Sequence, residues 1–329
     1  MSQPRCIRPG QTWMITRRTT RRHYLLRPDR DGKTQALYWY TTAVLARKFG
    51  IRLHAVQMMS THVHEVLTDV RGNLPAFLRE RNRAFANALK CHRGWPEEVF
   101  QRAAANYVEI HGEAAVLRQI AYTLSNCVEA GLVRSPEDWP GVGVSARDIG
   151  VRVVRVTRPA VYFDPENPVW PQEAEISIEM PDLLLQHRGL EKAMALICRV
   201  VETATRKASE AARLAGRVVS TIADIVRVAF TKRSRSFERF GVREPTLAAG
   251  GETHRAGQAR AARREFLQAY RNARNALRHG EYGIAFPLGT WRWTKELLPR
   301  LVCSATSSMS VGSMDLLGAP TLSPSRHLR

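Results

Sequence analysis

The stretch IRLHAVQMMSTHVHEVLTD, residues 51–69, decides the fold. Two β-like runs, IRLHAVQMM and HVHEVLTD, are separated only by Ser60 and Thr61, which predicts a tight hairpin. The second run carries two histidines one residue apart. Side chains alternate across a strand, so His62 and His64 share a face while Val63 and Glu65 take the other. Twice the per-residue rise separates the two imidazoles by about 7 Å, near enough for both to reach one metal ion. Histidine pairs are also common on exposed strands, so the same spacing describes two polar residues on a wet sheet face.

Outward from the hairpin, the pattern changes period. QTWMITRRTTRRHYLL, 11–26, alternates as a first strand running into a basic turn. KTQALYWYTTAVLARKFG, 33–50, has apolar residues at helical spacing and Gly50 as a stop. Downstream, NLPAFLRERNRAFANALKCHRG, 73–94, reads as a helix with Pro75 at its start and Gly94 beyond its end. NYVEIHG is a further strand and EAAVLRQIAYTLSNCVEAGLV, 113–133, a third helix. The order β-α-β-β-α-β plus a helix predicts an α+β fold of the ferredoxin-like, split βαβ kind, an antiparallel sheet with helices on one face.

After RSPEDWPGVGVSARDIG the texture shifts. Residues 1–150 form the first expected domain; 151–188 read as a proline-rich connector with some strand character, carrying Pro159, Pro165, Pro168, Pro171 and Pro181. Residues 189–300 read as a mainly helical, basic module, with helices near 189–230 and 256–280. The Ser, Gly and Pro-rich end, 301–329, is expected to be disordered.

The formal net charge is +20, and only seven of the fifty basic residues are lysine. Arginine forks hold phosphate in a bidentate way, so a polyanion is the first partner to consider. Residues 1–62 hold twelve Lys and Arg against Asp29 and Asp31, half of the whole excess. Five scattered cysteines, without a CxxC pair, point to a reducing, cytoplasmic setting. No apolar run approaches a membrane span, and the amino terminus lacks a signal-peptide core.

On the third helix the apolar stripe runs through Leu117, Ile120, Ala121, Leu124 and Val128, which leaves Tyr122 on the opposite side. Tyr122 and Asn126 are four apart and therefore neighbours, flanked by Arg118 and Glu129. A phenol beside an amide is what a metal-assisted nucleophile needs, and equally describes a surface tyrosine bonded to water.

The HVH strand followed by IAYTLSNCVEAGLVRSPEDWP resembles the HUH single-tyrosine transposases, in particular the branch associated with repetitive extragenic palindromes. Tyr122, Asn126, Val128, Ala130, Gly131, Leu132 and Val133 fall in register with that family's helix signature. REFLQAYRNARNALRHGEYGIAFPLGTWRW, 264–293, resembles the carboxy-terminal module of its longer members. Cys127 stands where the family usually has proline, Ser60-Thr61 where an asparagine usually precedes the first histidine, and Glu65 where an apolar residue is usual.

The resemblance implies a transposase that cuts and rejoins single-stranded, hairpin-forming or palindromic DNA through a 5′-phosphotyrosine. Tyr122 would be the nucleophile, and His62, His64 and Asn126 the ligands of Mg²⁺ or Mn²⁺. Such a protein would be cytoplasmic and nucleoid-associated, a monomer or homodimer. Arg17, Arg18, Arg21 and Arg22, then Arg79, Arg81 and Arg83, then Arg260, Arg263 and Arg264 are the candidate phosphate contacts. His54 is a candidate accessory residue, more simply read as structural, and Tyr107 is the reserve nucleophile. Two alternatives accompany this reading: a catalytically silent DNA-binding protein of the same fold, and an RNA-binding protein.

Overall fold

The structure is a computed structural model that describes residues 4–102, 105–235, 246–281 and 283–291. The 301–329 tail and Cys303 lie outside the described residues, as do the last residues of the 264–293 motif.

The first half follows the expected order: β1 (Gln11–Arg18), α1 (Lys33–Phe49), β2 (Ile51–Met58), β3 (His62–Asp69), α2 (Leu74–Arg93), β4 (Asn106–Ile110) and α3 (Glu113–Glu129). Then come β5 (Val153–Thr157), β6 (Glu173–Ser177), α4 (Asp182–Arg188), α5 (Leu190–Leu214), α6 (Ile222–Arg227), β7 (Leu247–Ala248) and α7 (Thr253–Arg278). The main sheet has the order β2-β3-β1-β4-β7. Its first four strands pair antiparallel, which is the split βαβ topology, and β7 adds two residues parallel to β4. The fold is α+β. Gly50 and Gly94 close α1 and α2 in the left-handed conformation, each donating its N–H back into the last turn.

Side-chain alternation sorts the two faces of the sheet. Glu65 of β3 meets Tyr38 of α1 and Arg81 of α2, so those two helices cover the face bearing the odd-numbered residues of β1 and β3. Helix α3 lies on the other face, over His64, and is itself covered on its outer side by α5. The expected one-sided helical layer therefore describes α1 and α2, and α3 with α5 adds a second layer. The outer cover explains why Ala121 and Ser125, which face α5, are buried as well as the sheet-facing side of α3.

The Glu65 carboxylate, fully buried, accepts two bonds of 2.7 Å from the Arg81 guanidinium and one of 2.5 Å from the Tyr38 hydroxyl. A buried charge is tolerated only when paired and hydrogen-bonded in this way. Arg81 is thus a core residue, which corrects its expected place among the phosphate contacts.

The hairpin between β2 and β3 takes three residues instead of two. Met59 leaves the ladder, donates its N–H to the His62 carbonyl, and buries its side chain with Cys127, Val128 and Trp139. A register shift between Leu53 and Ala55 marks a bulge at His54. The His54 Nδ1–H donates to the Glu179 carbonyl at 2.8 Å, which leaves Nε2 to accept from the Thr68 hydroxyl at 2.8 Å. Its ring is fully buried and both nitrogens are used, so His54 is structural.

Residues 142–144 and 178–179 run along the outer edge of β2 and bond to its backbone, so that edge is not open to pairing with another chain. The proline-bearing segment between them folds as the β5–β6 hairpin against α1, where Phe163 packs between Tyr40 and Trp170 at 4.9 Å from each. Ile176, Ile178, Met180, Ile197 and Val201 continue the hydrophobic core of the sheet into α5. Among the described residues, no helix is long and apolar enough to cross a membrane.

Candidate active site

The two histidines and the two helix residues meet. The His62 and His64 rings lie edge to face with centroids 4.7 Å apart, and the Tyr122 ring stands edge-on to His64 at 5.2 Å. The Asn126 side chain lies beside both His62 and Tyr122 and acts on the protonation of each. Strand alternation puts both imidazoles under α3, and the i, i+4 spacing of Tyr122 and Asn126 aims both side chains down at them. The face is therefore covered: His64 is 3% exposed, while Tyr122 is 42% exposed at the rim.

Each imidazole is oriented by a threonine. Thr16 Oγ1, across the ladder on β1, lies 2.9 Å from His64 Nδ1, and Thr61 Oγ1 lies 2.9 Å from His62 Nδ1. Both contacts leave Nε2 as the nitrogen for a ligand, and a fixed Nδ1 is the usual support of a metal-binding histidine. The residue at 61, one of the departures from the family pattern, thus has a use beside His62. Cys127, another, keeps α3 continuous and buries its thiol against the Leu124 carbonyl, so Tyr122 and Asn126 keep their spacing.

Charge and burial set the protonation states. Burial, with Arg18 second, lowers His62 to about 4. Burial, the neighbouring His62 and Arg18 hold His64 well below the usual histidine range. Both rings are neutral near pH 7, the form that donates a lone pair. Burial and the Glu129 carboxylate raise the Tyr122 phenol, while Arg18 and the Asn126 bond oppose them.

Two neutral imidazoles and a carboxamide form a donor set suited to a divalent cation. Among the described residues no three His, Cys, Asp or Glu side chains come together as a metal site, so a third protein ligand beside the two histidines would have to be a group such as the Asn126 carboxamide.

The basic residues divide. Arg18 and Arg22 bring positive charge to His62, beside the exposed Arg21, and both Arg21 and Arg22 have positive φ. Arg17 turns to the opposite face, donating to the Gln101 carbonyl at 2.7 Å with its guanidinium over Phe100. There it shares a cleft of about 590 Å³ with Arg79, Arg83 and Tyr107. Tyr107 is thus behind the sheet from the histidines, with Arg5 over its ring, and cannot substitute for Tyr122. Arg263 lies on α7 near Cys6, and Arg260 and Arg264 are exposed on the same helix.

Two clefts flank the histidines. One, of about 760 Å³, runs between α3 and α5 and takes in Tyr122, Arg118, Glu129, Arg199, Lys207 and Arg217. The other, of about 770 Å³, takes in His62, Thr61, Arg217, Asp224, Arg227 and Lys232. None of Arg199, Lys207, Arg217, Arg227 and Lys232 stood out in the sequence. The signal available was the buried stripe Ala193, Ile197, Val201 and Ala212, which marks α5 as a helix needing a surface to cover.

No protein-family model matches the chain, and no curated protein matches it. Among solved structures, it is similar to a REP-associated tyrosine transposase bound to a REP hairpin, with 22% identity and a TM-score of 0.38 over 45% of this chain and 84% of that one. It is also similar to a crystal structure of a transposase-like protein from Deinococcus radiodurans, with 18% identity and a TM-score of 0.27 over 38% of this chain and 97% of that one.

Proposed function

We propose that this chain is a metal-dependent transposase that cuts and rejoins single-stranded, hairpin-forming DNA through a 5′-phosphotyrosine on Tyr122. The observation that carries the reading is the Tyr122 ring 5.2 Å from His64, whose ring is 4.7 Å from that of His62, with the Asn126 side chain beside both Tyr122 and His62. A phenol at the rim and two neutral imidazoles beneath it, His64 buried and His62 half-buried, are the parts of a metal-assisted nucleophile.

His62, His64 and Asn126 would hold Mg²⁺ or Mn²⁺, and the bound cation would supply charge neutralisation at a non-bridging phosphate oxygen. Asn126 orients the Tyr122 hydroxyl. Arg18 stabilises the phenolate against the opposing effects of burial and Glu129. In the reaction the phenol gives up its proton, its oxygen bonds to phosphorus, and the bond from phosphorus to the 3′ oxygen breaks. The departing oxygen takes up a proton and leaves as a 3′-hydroxyl. Because one phosphodiester replaces another, attack by a 3′-hydroxyl on the phosphotyrosine restores a DNA strand without ATP.

The test is covalent capture: a labelled single strand carrying a hairpin, incubated with Mn²⁺, should become bound to the protein and survive denaturation. An equal yield of adduct from Tyr122→Phe would overturn the assignment.

A further inference from the structure

We infer that α5, α6 and the segment after them form the second wall of a channel for single-stranded nucleic acid, with unpaired bases seated in the α3–α5 cleft beside Tyr122. What happens at Tyr122 rests on the proposed function, but the channel is argued from the clefts themselves.

The two clefts meet at the reactive residues. Tyr122 lines the first, His62 the second, and Arg217 lines both, donating to the Glu129 carbonyl at the end of α3. A phosphodiester placed between Tyr122 and His62 must therefore continue along one cleft in one direction and the other cleft in the opposite direction. The lining residues suit that path. In the first cleft Val200, Ala204 and Ala208 of α5 face Ala121 of α3, giving apolar walls that side chains do not fill, and Arg118, Arg199, Lys207 and Arg217 stand around them. Glu129 is the acid among the described residues there. The second cleft sets the hydroxyls of Ser60, Thr61 and Ser220 and the cations Arg217, Arg227 and Lys232 among the apolar side chains of Met59, Leu132, Ile225 and Val228; its acid, Asp224, is bonded to Thr221 at the start of α6.

Apolar walls with a cationic rim match a flat base between two phosphates. At about 760 Å³ the first cleft belongs to the size class that encloses one small flexible ligand, and a duplex does not enter it. The second wall is held firmly against the first half of the chain. Tyr24 donates its N–H to the Lys232 carbonyl, Ser234 donates to the Arg22 carbonyl, and His23 Nδ1 lies 2.7 Å from the Thr231 carbonyl. The basic turn that carries Arg21 and Arg22 is therefore tied to the strand of chain that closes the second cleft.

The experiment uses the full chain with Tyr122→Phe, so that binding is read without cleavage. A fluorescent single-stranded oligonucleotide with a terminal hairpin is titrated by anisotropy at several salt concentrations, in deoxy and 2′-hydroxyl forms. Arg199→Glu with Lys207→Glu removes two cleft cations from exposed positions. Lys192→Glu with Arg206→Glu makes the same charge change elsewhere on α5, outside both clefts. The cleft pair should weaken binding roughly tenfold more than the control pair, with the log–log salt slope falling by about 0.7 for each phosphate that is no longer neutralised. Tighter binding of the 2′-hydroxyl strand would make RNA the occupant of the same channel.

Equal weakening by the two pairs would reduce the effect to net charge and overturn the channel. So would a normal yield of covalent adduct from the cleft pair in the Tyr122 background. If wild type gives no adduct while the cleft pair still binds more weakly than the control pair, the channel stands and the catalytic reading fails.

Discussion

The phenol of Tyr122 on α3 stands edge-on to the imidazole of His64 on β3, with ring centroids 5.2 Å apart and planes at 74°. A tyrosine at the rim and a buried, neutral histidine are thus held together by the packing of one helix across the sheet, with no contribution from a loop. Sites carried on regular elements are the more rigid kind.

The threonines behind the histidines should matter for metal. Thr16→Val and Thr61→Val remove the hydroxyls next to His64 Nδ1 and His62 Nδ1. Removing such supporting groups typically weakens metal binding about 10- to 100-fold. Isothermal titration with Mn²⁺ should show a weakening of that order for each, and a larger one for His62→Ala or His64→Ala. Unchanged affinity in both threonine variants would mean that the rings are set by packing alone.

Glu129 should be a brake on the nucleophile. Its carboxylate raises the Tyr122 phenol, so Glu129→Gln should move the pH–rate profile for adduct formation to lower pH and speed the reaction near neutrality. A profile shifted to higher pH would show that the carboxylate assists instead, by accepting the phenol proton.

Stability should depend on the pair beneath the other face. Glu65→Ala leaves the Arg81 charge buried and unpaired, which costs about 3–5 kcal/mol. Replacing both together, Glu65→Leu with Arg81→Met, should cost clearly less than the sum of the single changes, as read by urea denaturation. A simple sum would mean that the two side chains act independently.

Acid should loosen the fold in two stages. Burial lowers His54 to about 4, against about 6.5 in the unfolded chain, so the unfolded state takes up its proton first. The stability it contributes is complete above about pH 6.5 and is lost as pH falls towards 4, by about 3 kcal/mol in all. Asp29 is lowered to about 2, burial being outweighed by Thr34, Arg93 and His92, so its contribution is lost only below about pH 4. His62 and His64, also lowered by burial, lose stability over the same range, so His54→Gln should make the first stage shallower by His54's own share and spare the second. An unaltered first stage would assign it to other histidines.

Much of this was legible in the sequence, for physical reasons. The β1–α1–β2–β3–α2–β4–α3 order follows from clear changes between period 2 and period 3.6, and the Tyr122–Asn126 pairing from helical spacing alone. Alternation likewise put Glu65 away from the histidines. What the chain did not disclose was tertiary. Nothing local tells that α3 lies on the histidine face, that α5 covers α3, or that Met59 leaves the ladder to fill a space beside Cys127. Arg17 and Arg18 read as one basic cluster, yet adjacent strand residues point to opposite faces, and the sheet separates them. The prolines near 165–171 read as a linker because they punctuate the chain; they fill the long loop of the β5–β6 hairpin, whose strands rest on α1.

The most direct measurement is the yield of covalent protein–DNA adduct with a hairpin-bearing single strand and Mn²⁺, compared across wild type, Tyr122→Phe and Tyr107→Phe. Wild type and Tyr107→Phe should form an adduct that EDTA abolishes, and Tyr122→Phe should form none. Adduct from Tyr122→Phe, or the same yield in EDTA, would contradict a metal-assisted Tyr122 nucleophile.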